Sequence, residues 1–465
     1  MTFLRSALRG AAALCAAAAL AGSWPHYAGT AARNAVSSLG PEDLTRICWV
    51  ATPLADEEFV GSATPIAFFG RVVVNARVIE DDVHVANRLI AFSALTGARL
   101  WAQDIQPDVL DSWASPGASI HDASVLIASG ATLYAFALSD GAALWSAPLG
   151  QSVVNASVAV SSDLLVNQSR ADRAFITTFS LGAAALFAFN VAPFHATDNP
   201  YQPGELVWSQ IVGPLSGATP AYRGGRVVVA TTDGRIVAYD ALAGGAPLWS
   251  TAASASGFFG GVALVDGYVY AATYNFSGGP NSGRLYKLKM SDGLAVWNIA
   301  AERTDSIPIL APQGRIYLSG GIDGFGSAPR VQCFRDAGAA AELLWQTPAA
   351  MFVGGWTHQP LYADGKLYAG IGSPLGDFEA FEELLILDVK RVPTDPAFVI
   401  DSHVGSGGAP SVYSDKLYSI GFDGLFAFQI ELGEEPPDST GDIGGVGAIA
   451  PPGTRSPRRD LLVAP

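Results

Sequence analysis

One pattern recurs along this chain and restricts what it can fold into. It is seen in Leu89-Ile-Ala-Phe-Ser-Ala-Leu-Thr-Gly-Ala-Arg-Leu-Trp101, in Leu133-Tyr-Ala-Phe-Ala-Leu-Ser-Asp-Gly-Ala-Ala-Leu-Trp145 and in Leu285-Tyr-Lys-Leu-Lys-Met-Ser-Asp-Gly-Leu-Ala-Val-Trp297. A glycine lies four residues before each tryptophan. Looser copies run from Ile236 to Trp249 and from Val331 to Trp345, and Leu186-Phe-Ala-Phe reaches Trp208 after an insertion at His195 to Gly204. A further copy, Leu385-Ile-Leu-Asp388, ends on Phe398 in place of tryptophan. Each copy reads as a strand, a turn whose glycine accepts positive φ, and a second strand opening on Leu-Trp.

Upstream of each copy stands another short strand, as in Gly70-Arg-Val-Val-Val, Gly225-Arg-Val-Val-Val and Gly365-Lys-Leu-Tyr. Before that comes one that often holds proline, at Pro65, Pro220, Pro308, Pro360 and Pro410. Four antiparallel strands per repeat describe a propeller blade. Gly424-Leu-Phe-Ala-Phe-Gln-Ile430 supplies a third strand with no Leu-Trp after it, and Ile47-Cys-Trp-Val supplies an outer strand with nothing before it. Pairing the two closes the ring without a large exposed sheet edge. Outer strands at Trp49, Trp101, Trp145, Trp208, Trp249, Trp297, Trp345 and Phe398 predict an all-β, eight-bladed β-propeller of four-stranded antiparallel blades. Residues 22–432 form the propeller in this reading, 1–21 a signal peptide and 433–465 a Pro/Gly-rich disordered tail.

Composition agrees with many buried strands: 49% of the 465 residues are hydrophobic, 15% are charged, and 51 Gly and 29 Pro are spread along the chain. That balance excludes bulk disorder. The net charge of -15 argues against nucleic-acid binding and against docking on anionic lipid. At the start, Arg5 and Arg9 precede an apolar run from Ala11 to Ala21 ending in Ala19-Leu-Ala21, the pattern of a cleaved secretory leader that would carry Cys15 away. No transmembrane span is expected after it. Cys48 falls at the apolar position before a repeat tryptophan and Cys333 at a small position filled elsewhere by alanine, so both are expected as buried thiols without a disulfide.

The repeat Leu-Tyr-Ala-Phe-x-x-x-x-Gly-x-x-Leu-Trp resembles that of the pyrroloquinoline-quinone (PQQ) family of β-propellers over residues 24–430. The stretch Trp24-Pro-His-Tyr-Ala-Gly, followed by Leu39-Gly-Pro and Ile47-Cys-Trp, is similar to that family's N-terminal opening. The resemblance implies a quinoprotein-type fold shared by PQQ-dependent dehydrogenases and by cofactor-free proteins such as the outer-membrane assembly factor BamB. The dehydrogenase branch implies PQQ with Ca²⁺, an Asp base and an adjacent Cys-Cys disulfide. This chain has no adjacent cysteines, so the BamB-like branch is favoured, with no cofactor.

Where inner strands line a channel, ligands meet the residues at its mouth. The candidates there are His121, Asp122, Asn155, Asp305, Trp356 and His358, read as solvated channel polars with metal ligation as the sharper alternative. The repeat tryptophans are expected to wedge between blades. Asp233-Gly234, Asp323-Gly324 and Asp423-Gly424 read as turns, and Asp81-Asp82 and Glu379 to Glu383 as solvated acidic loops. No hydrolase, metalloprotease or phosphate-loop motif is present. The expected function is an exported, periplasmic or secreted, monomeric scaffold that binds an envelope or extracellular protein or polymer. A PQQ-dependent oxidation of an alcohol or sugar is the alternative, and glycan binding a third reading.

Overall fold

The computed structural model describes residues 22–110, 112–275, 277–372, 380–422 and 424–431. The expected leader with Cys15, the tail, Asp423 and Glu379 lie outside the described residues. Among the described residues the chain forms eight blade sheets in sequence order, antiparallel but for the strand Val36–Ser37, and a small separate hairpin of Leu165–Val166 with Ser169–Arg170. Blade 1 is built from Ile66–Phe68, Arg71–Glu80, Val83–Ser93 and Arg99–Ile105, with Glu57–Phe59 added on the edge beside Ile66–Phe68. Blades 2 to 7 open on the inner strands Gly117–Ser119, Ala159–Val160, Ala221–Arg223, Val262–Val265, Ile309–Ala311 and Leu361–Ala363. Blade 8 takes Ser411–Tyr413, Lys416–Gly421 and Gly424–Gln429 from one end of the chain and Ile47–Ala51 from the other. Trp49 opposes Ala427 there, as Trp101 opposes Ala91 in blade 1. The expected closure of the ring is what the structure shows.

The repeat tryptophan acts between blades. Nε1 of Trp49, Trp101, Trp208 and Trp249 donates to the carbonyl of Ala94, Leu138, Ala241 and Met290 respectively, in each case in the third-to-fourth-strand turn of the next blade. The glycine of that turn lies against the ring. A Cβ on Gly97 would stand 2.6 Å from Trp49, and one on Gly141 2.7 Å from Trp101. Gly97 also has φ +72°, so the position excludes other residues twice, by backbone conformation and by space. Spacing between Gly and Trp is thus one requirement of the wedge.

Two expectations change. Phe398 does not take the tryptophan position of blade 7. Ile386 opposes Asp401, whose carboxylate accepts from the Leu44 amide at 2.7 Å, while Phe398 sits in the preceding turn, edge-on to Trp345 at 5.4 Å. Cys48 is exposed rather than buried, whereas Cys333 is buried as expected. The residue before each tryptophan faces outward because successive side chains of a strand alternate, and Leu100, Leu144 and Leu248 are exposed there too. An apolar residue in an outer strand does not by itself mean burial.

Each inner strand has an edge facing the axis, and the segment 22–37 occupies it. Gly22 accepts from the Ser414 amide of blade 8, Trp24 exchanges bonds with Ala67 of blade 1, and Pro25 accepts from Ala118 of blade 2. His26 Nε2 accepts from the Val160 amide of blade 3 at 3.1 Å. Ala31 and Ala32 accept from Tyr222 of blade 4 and Leu264 of blade 5. The Asn34 amide pairs with both backbone groups of Leu310 in blade 6, and Val36 and Ser37 run parallel to Tyr362 and Ala363 of blade 7. This circuit touches all eight blades and satisfies amides that would otherwise be buried without acceptors.

Candidate functional site

At the start of the inner strands a second ring joins the blades. The Thr64 amide donates to Ser115 Oγ, the Ser115 amide to Ser157 Oγ and the Ser157 amide to Thr219 Oγ1, at 2.8, 2.8 and 3.0 Å. Further round, the Ile307 amide donates to Gln359 Oε1 at 2.8 Å and the Ala409 amide to the Gly61 carbonyl. The prolines noted in the sequence follow several of these residues. Pro65 and Pro220 stand two residues before Ala67 and Tyr222, the amides that the axial segment takes, at the opening of an innermost strand where a proline is tolerated.

Above this ring the loops entering the blades meet. Trp113, before blade 2, packs edge to face on Trp356, before blade 7, with ring centroids 5.4 Å apart. Those loops belong to blades three positions apart round the ring, so the indole pair brings together loops of non-adjacent blades. Tyr274 stacks on Trp356 at 5.2 Å and Phe259 packs on Tyr274 at 4.9 Å. Val60 and Ala63 complete the apolar cluster around Trp113.

Four of the six sequence candidates belong to this end. The Asp305 amide donates to the Trp356 carbonyl, and the Asn155 amide donates to Ser112 Oγ. Burial pushes the Asp305 carboxyl well above the usual range, which favours its protonated form. His358 is buried, with Nε2 accepting from the Gly370 amide at 2.9 Å, and burial lowers it to about 3. It is a neutral structural imidazole and no longer reads as a solvated ligand. His121 and Asp122 are elsewhere: they sit on the turn after Gly117–Ser119, at the opposite end of the channel. There His121 Nε2 contacts the Ser162 carbonyl at 2.8 Å and Ser119 Oγ donates to Asp122 at 3.4 Å. Ser124–Ser129 is the second strand of blade 2, not its first, and that offset of one strand reverses the face.

Several residues with a bearing on function were not singled out from the sequence. Trp113 and Tyr274 have no repeat position to mark them. Arg33 is fully buried against the ring at the start of the inner strands, donating to the carbonyls of Tyr27, Ser157 and Pro220 at 3.0, 2.9 and 3.1 Å, and burial lowers it to about 9. Glu57 is buried beside Arg88 and Arg99, at 2.9 and 2.6 Å. Burial opposes its ionisation, but the bonds from Arg99, Arg88 and the Leu54 amide prevail and hold it at about 2. Among the described residues no group of three or more His, Cys, Asp or Glu is placed to hold a metal ion, and no helix is long and apolar enough to cross a membrane.

Residues 46–192 and 195–370 match the family model described as Outer membrane protein assembly factor BamB. No curated protein gives a significant match. Among solved structures, BamB from Moraxella catarrhalis aligns with a TM-score of 0.55 at 17% identity, over 82% of this chain and 100% of its own. The quinohemoprotein alcohol dehydrogenase from Comamonas testosteroni aligns with a TM-score of 0.62 at 13% identity, over 91% of this chain and 83% of its own. A europium-containing methanol dehydrogenase aligns with a TM-score of 0.59 at 10% identity, over 86% and 89%. At these identities the structural likeness establishes the fold, which enzymes and non-enzymes share. The family match spans more than half of the chain, so this eight-bladed propeller belongs to the PQQ-like, BamB-type family.

Proposed function

We propose that this chain is an exported, non-catalytic propeller that holds protein or polymer partners on its outer surfaces in the cell envelope. The observation that carries the reading is the filling of the axial channel by the chain's own residues. Segment 22–37 bonds to the inner strand of each blade, Arg33 reaches from it to the Ser157 and Pro220 carbonyls, and Trp113 packs on Trp356 above them. A ligand must then be met on loops and blade faces, as a scaffold does. The name of the matched family, an assembly factor of outer-membrane proteins, supports protein partners.

The residues present fit PQQ poorly. A planar quinone needs an open slot at the mouth, and the two described cysteines, Cys48 and Cys333, are free and in different blades. Of the clefts among the described residues, the one beside Glu57 and Phe422 encloses about 110 Å³ and the one between Trp24, Val36 and Val412 about 180 Å³, so neither reaches the roughly 300–1,000 Å³ of a cofactor pocket. The test is titration of the purified protein with PQQ and Ca²⁺, followed by dye reduction with alcohols and sugars, in parallel with photo-crosslinking from Phe422 and Phe325 in the exporting cell. Crosslinks to defined envelope proteins without quinone uptake are expected. Tight quinone binding with turnover would overturn the proposal.

A further inference from the structure

The edge of blade 1 carries a feature that channel closure does not explain. Glu57–Phe59 is the terminal strand of its sheet, paired with Arg71–Glu80 on one side. Its other side borders the cleft of about 110 Å³, whose walls include Phe59, Val60, Phe381, Ile420 and Phe422. Phe59, Val60, Phe381 and Ile420 are buried and form the floor, while Phe422 is 53% exposed and forms a lip. The cleft thus joins three blades: blade 1, Phe381 of blade 7, and Ile420 with Phe422 of blade 8.

Acidic groups outnumber basic ones around it. Glu58, which lines the cleft, is exposed, and so are Asp81 and Asp82 at the tip of the adjoining hairpin. Glu383, on the blade 7 strand, is half-buried. The nearby cations are already engaged: Arg88 with Asp56, Glu57 and Asp104, Arg99 with Glu57, and Arg77 with the Ser112 carbonyl and, at 3.7 Å, Asp108. The local field therefore favours a cationic visitor.

We propose that this cleft docks an extended, basic and apolar segment of a partner protein. The segment adds beside Phe59 on the outer edge of Glu57–Phe59, whose Glu57 amide already donates to the Leu54 carbonyl, seats one apolar side chain between Phe381 and Phe422, and sets lysine or arginine against Glu58. Strand addition supplies main-chain hydrogen bonds, and the alternation of side chains sends one set into the cleft and the other toward the acidic rim. This rests on the scaffold reading and gives its partner a chemistry.

The experiment titrates the full chain with a dye-labelled heptapeptide that alternates lysine and valine around a central phenylalanine, read by fluorescence anisotropy at low salt. A glutamate-for-lysine version of the same peptide serves as the counterpart. Saturable binding of the lysine peptide is expected, with about tenfold weakening in each of Glu58→Lys and Phe422→Ser and no change in Leu181→Ser, an exposed site on blade 3. The salt dependence should be lost in Glu58→Lys. Both tested positions are exposed, and unchanged denaturation midpoints would show that the variants fold. No saturable binding up to about 1 mM, equal binding of the glutamate peptide, or binding indifferent to both substitutions overturns the proposal. Such a result leaves the scaffold reading standing, because that reading fails only on quinone uptake with turnover.

Discussion

Gly97→Ala tests the link between the repeat glycine and the tryptophan wedge, at the seam where the ring closes. The new methyl would have to share space with Trp49, whose ring lies 2.6 Å from the ideal Cβ position, in a turn held at φ +72°. An L-residue in the left-handed region costs about 1–2 kcal/mol. Forcing a methyl into a packed contact adds about 1–3 kcal/mol. Gly70, also in blade 1, supplies the control, since it has φ +76° and nothing within 4 Å of its ideal Cβ. Gly70→Ala should therefore cost only the backbone share, about 1–2 kcal/mol, and Gly97→Ala about 2–5 kcal/mol. Urea unfolding followed by tryptophan fluorescence and by circular dichroism gives both values. In a Trp49→Ala background the surplus at Gly97 should vanish, giving a coupling of about 1–3 kcal/mol in the double-mutant cycle. Equal costs at Gly97 and Gly70, or a surplus that survives without Trp49, would refute the wedge as the reason for the glycine.

Three further outcomes follow from the buried groups and the axial segment. His358, held at about 3 by burial, and His26, lowered by burial and then by Arg33, both bind a proton more readily in the unfolded chain. Stability should therefore fall as pH drops below about 6.5, by up to about 1.4 kcal/mol per pH unit for each group. Asp305, raised by burial, acts with the opposite sign: its contribution is full below about pH 4 and declines above it, offsetting one histidine. Denaturation midpoints from pH 4 to 6.5 should show the net slope, and His358→Asn should flatten it; an unchanged slope would refute the assignment. A thiol reagent should label Cys48 in the folded protein and Cys333 only after unfolding, with mass spectrometry locating the adducts. Deleting residues 22–37 should cost most of the stability, because every blade loses an axial bond. A synthetic peptide of that stretch added in trans should restore part of it, read as a rise in melting temperature.

The repeat made the architecture legible because its cause is local. Alternation along each strand, a glycine that tolerates positive φ and an aromatic residue at constant spacing mark a blade wherever it falls. The matched halves of blade 8 were readable for the same reason, since Ile47-Cys-Trp lacks what Gly424 to Ile430 provides. The end of the channel was harder to read. Asn155, Asp305, Trp356 and His358 fall at the expected mouth because they precede true inner strands, whereas His121 and Asp122 precede a second strand and face the other way. A strand of three residues such as Gly117–Ser119 carries too little pattern to be counted, and one missed strand inverts the reading.

By itself the sequence determined the fold class, the number of blades and the manner of closure, since each depends on signals within a few tens of residues. Only the tertiary structure decided what fills the centre. Trp113 meets Trp356, and Arg33 reaches Pro220 across 187 residues, through contacts that no periodicity records. It likewise decided the fate of single side chains. Cys48 and Cys333 both sit where apolar residues recur, but one lies on the outward side of an edge strand and the other between sheets. Whether a residue faces solvent or a neighbouring blade is set by the packing of the whole ring, which no local signal in the chain records.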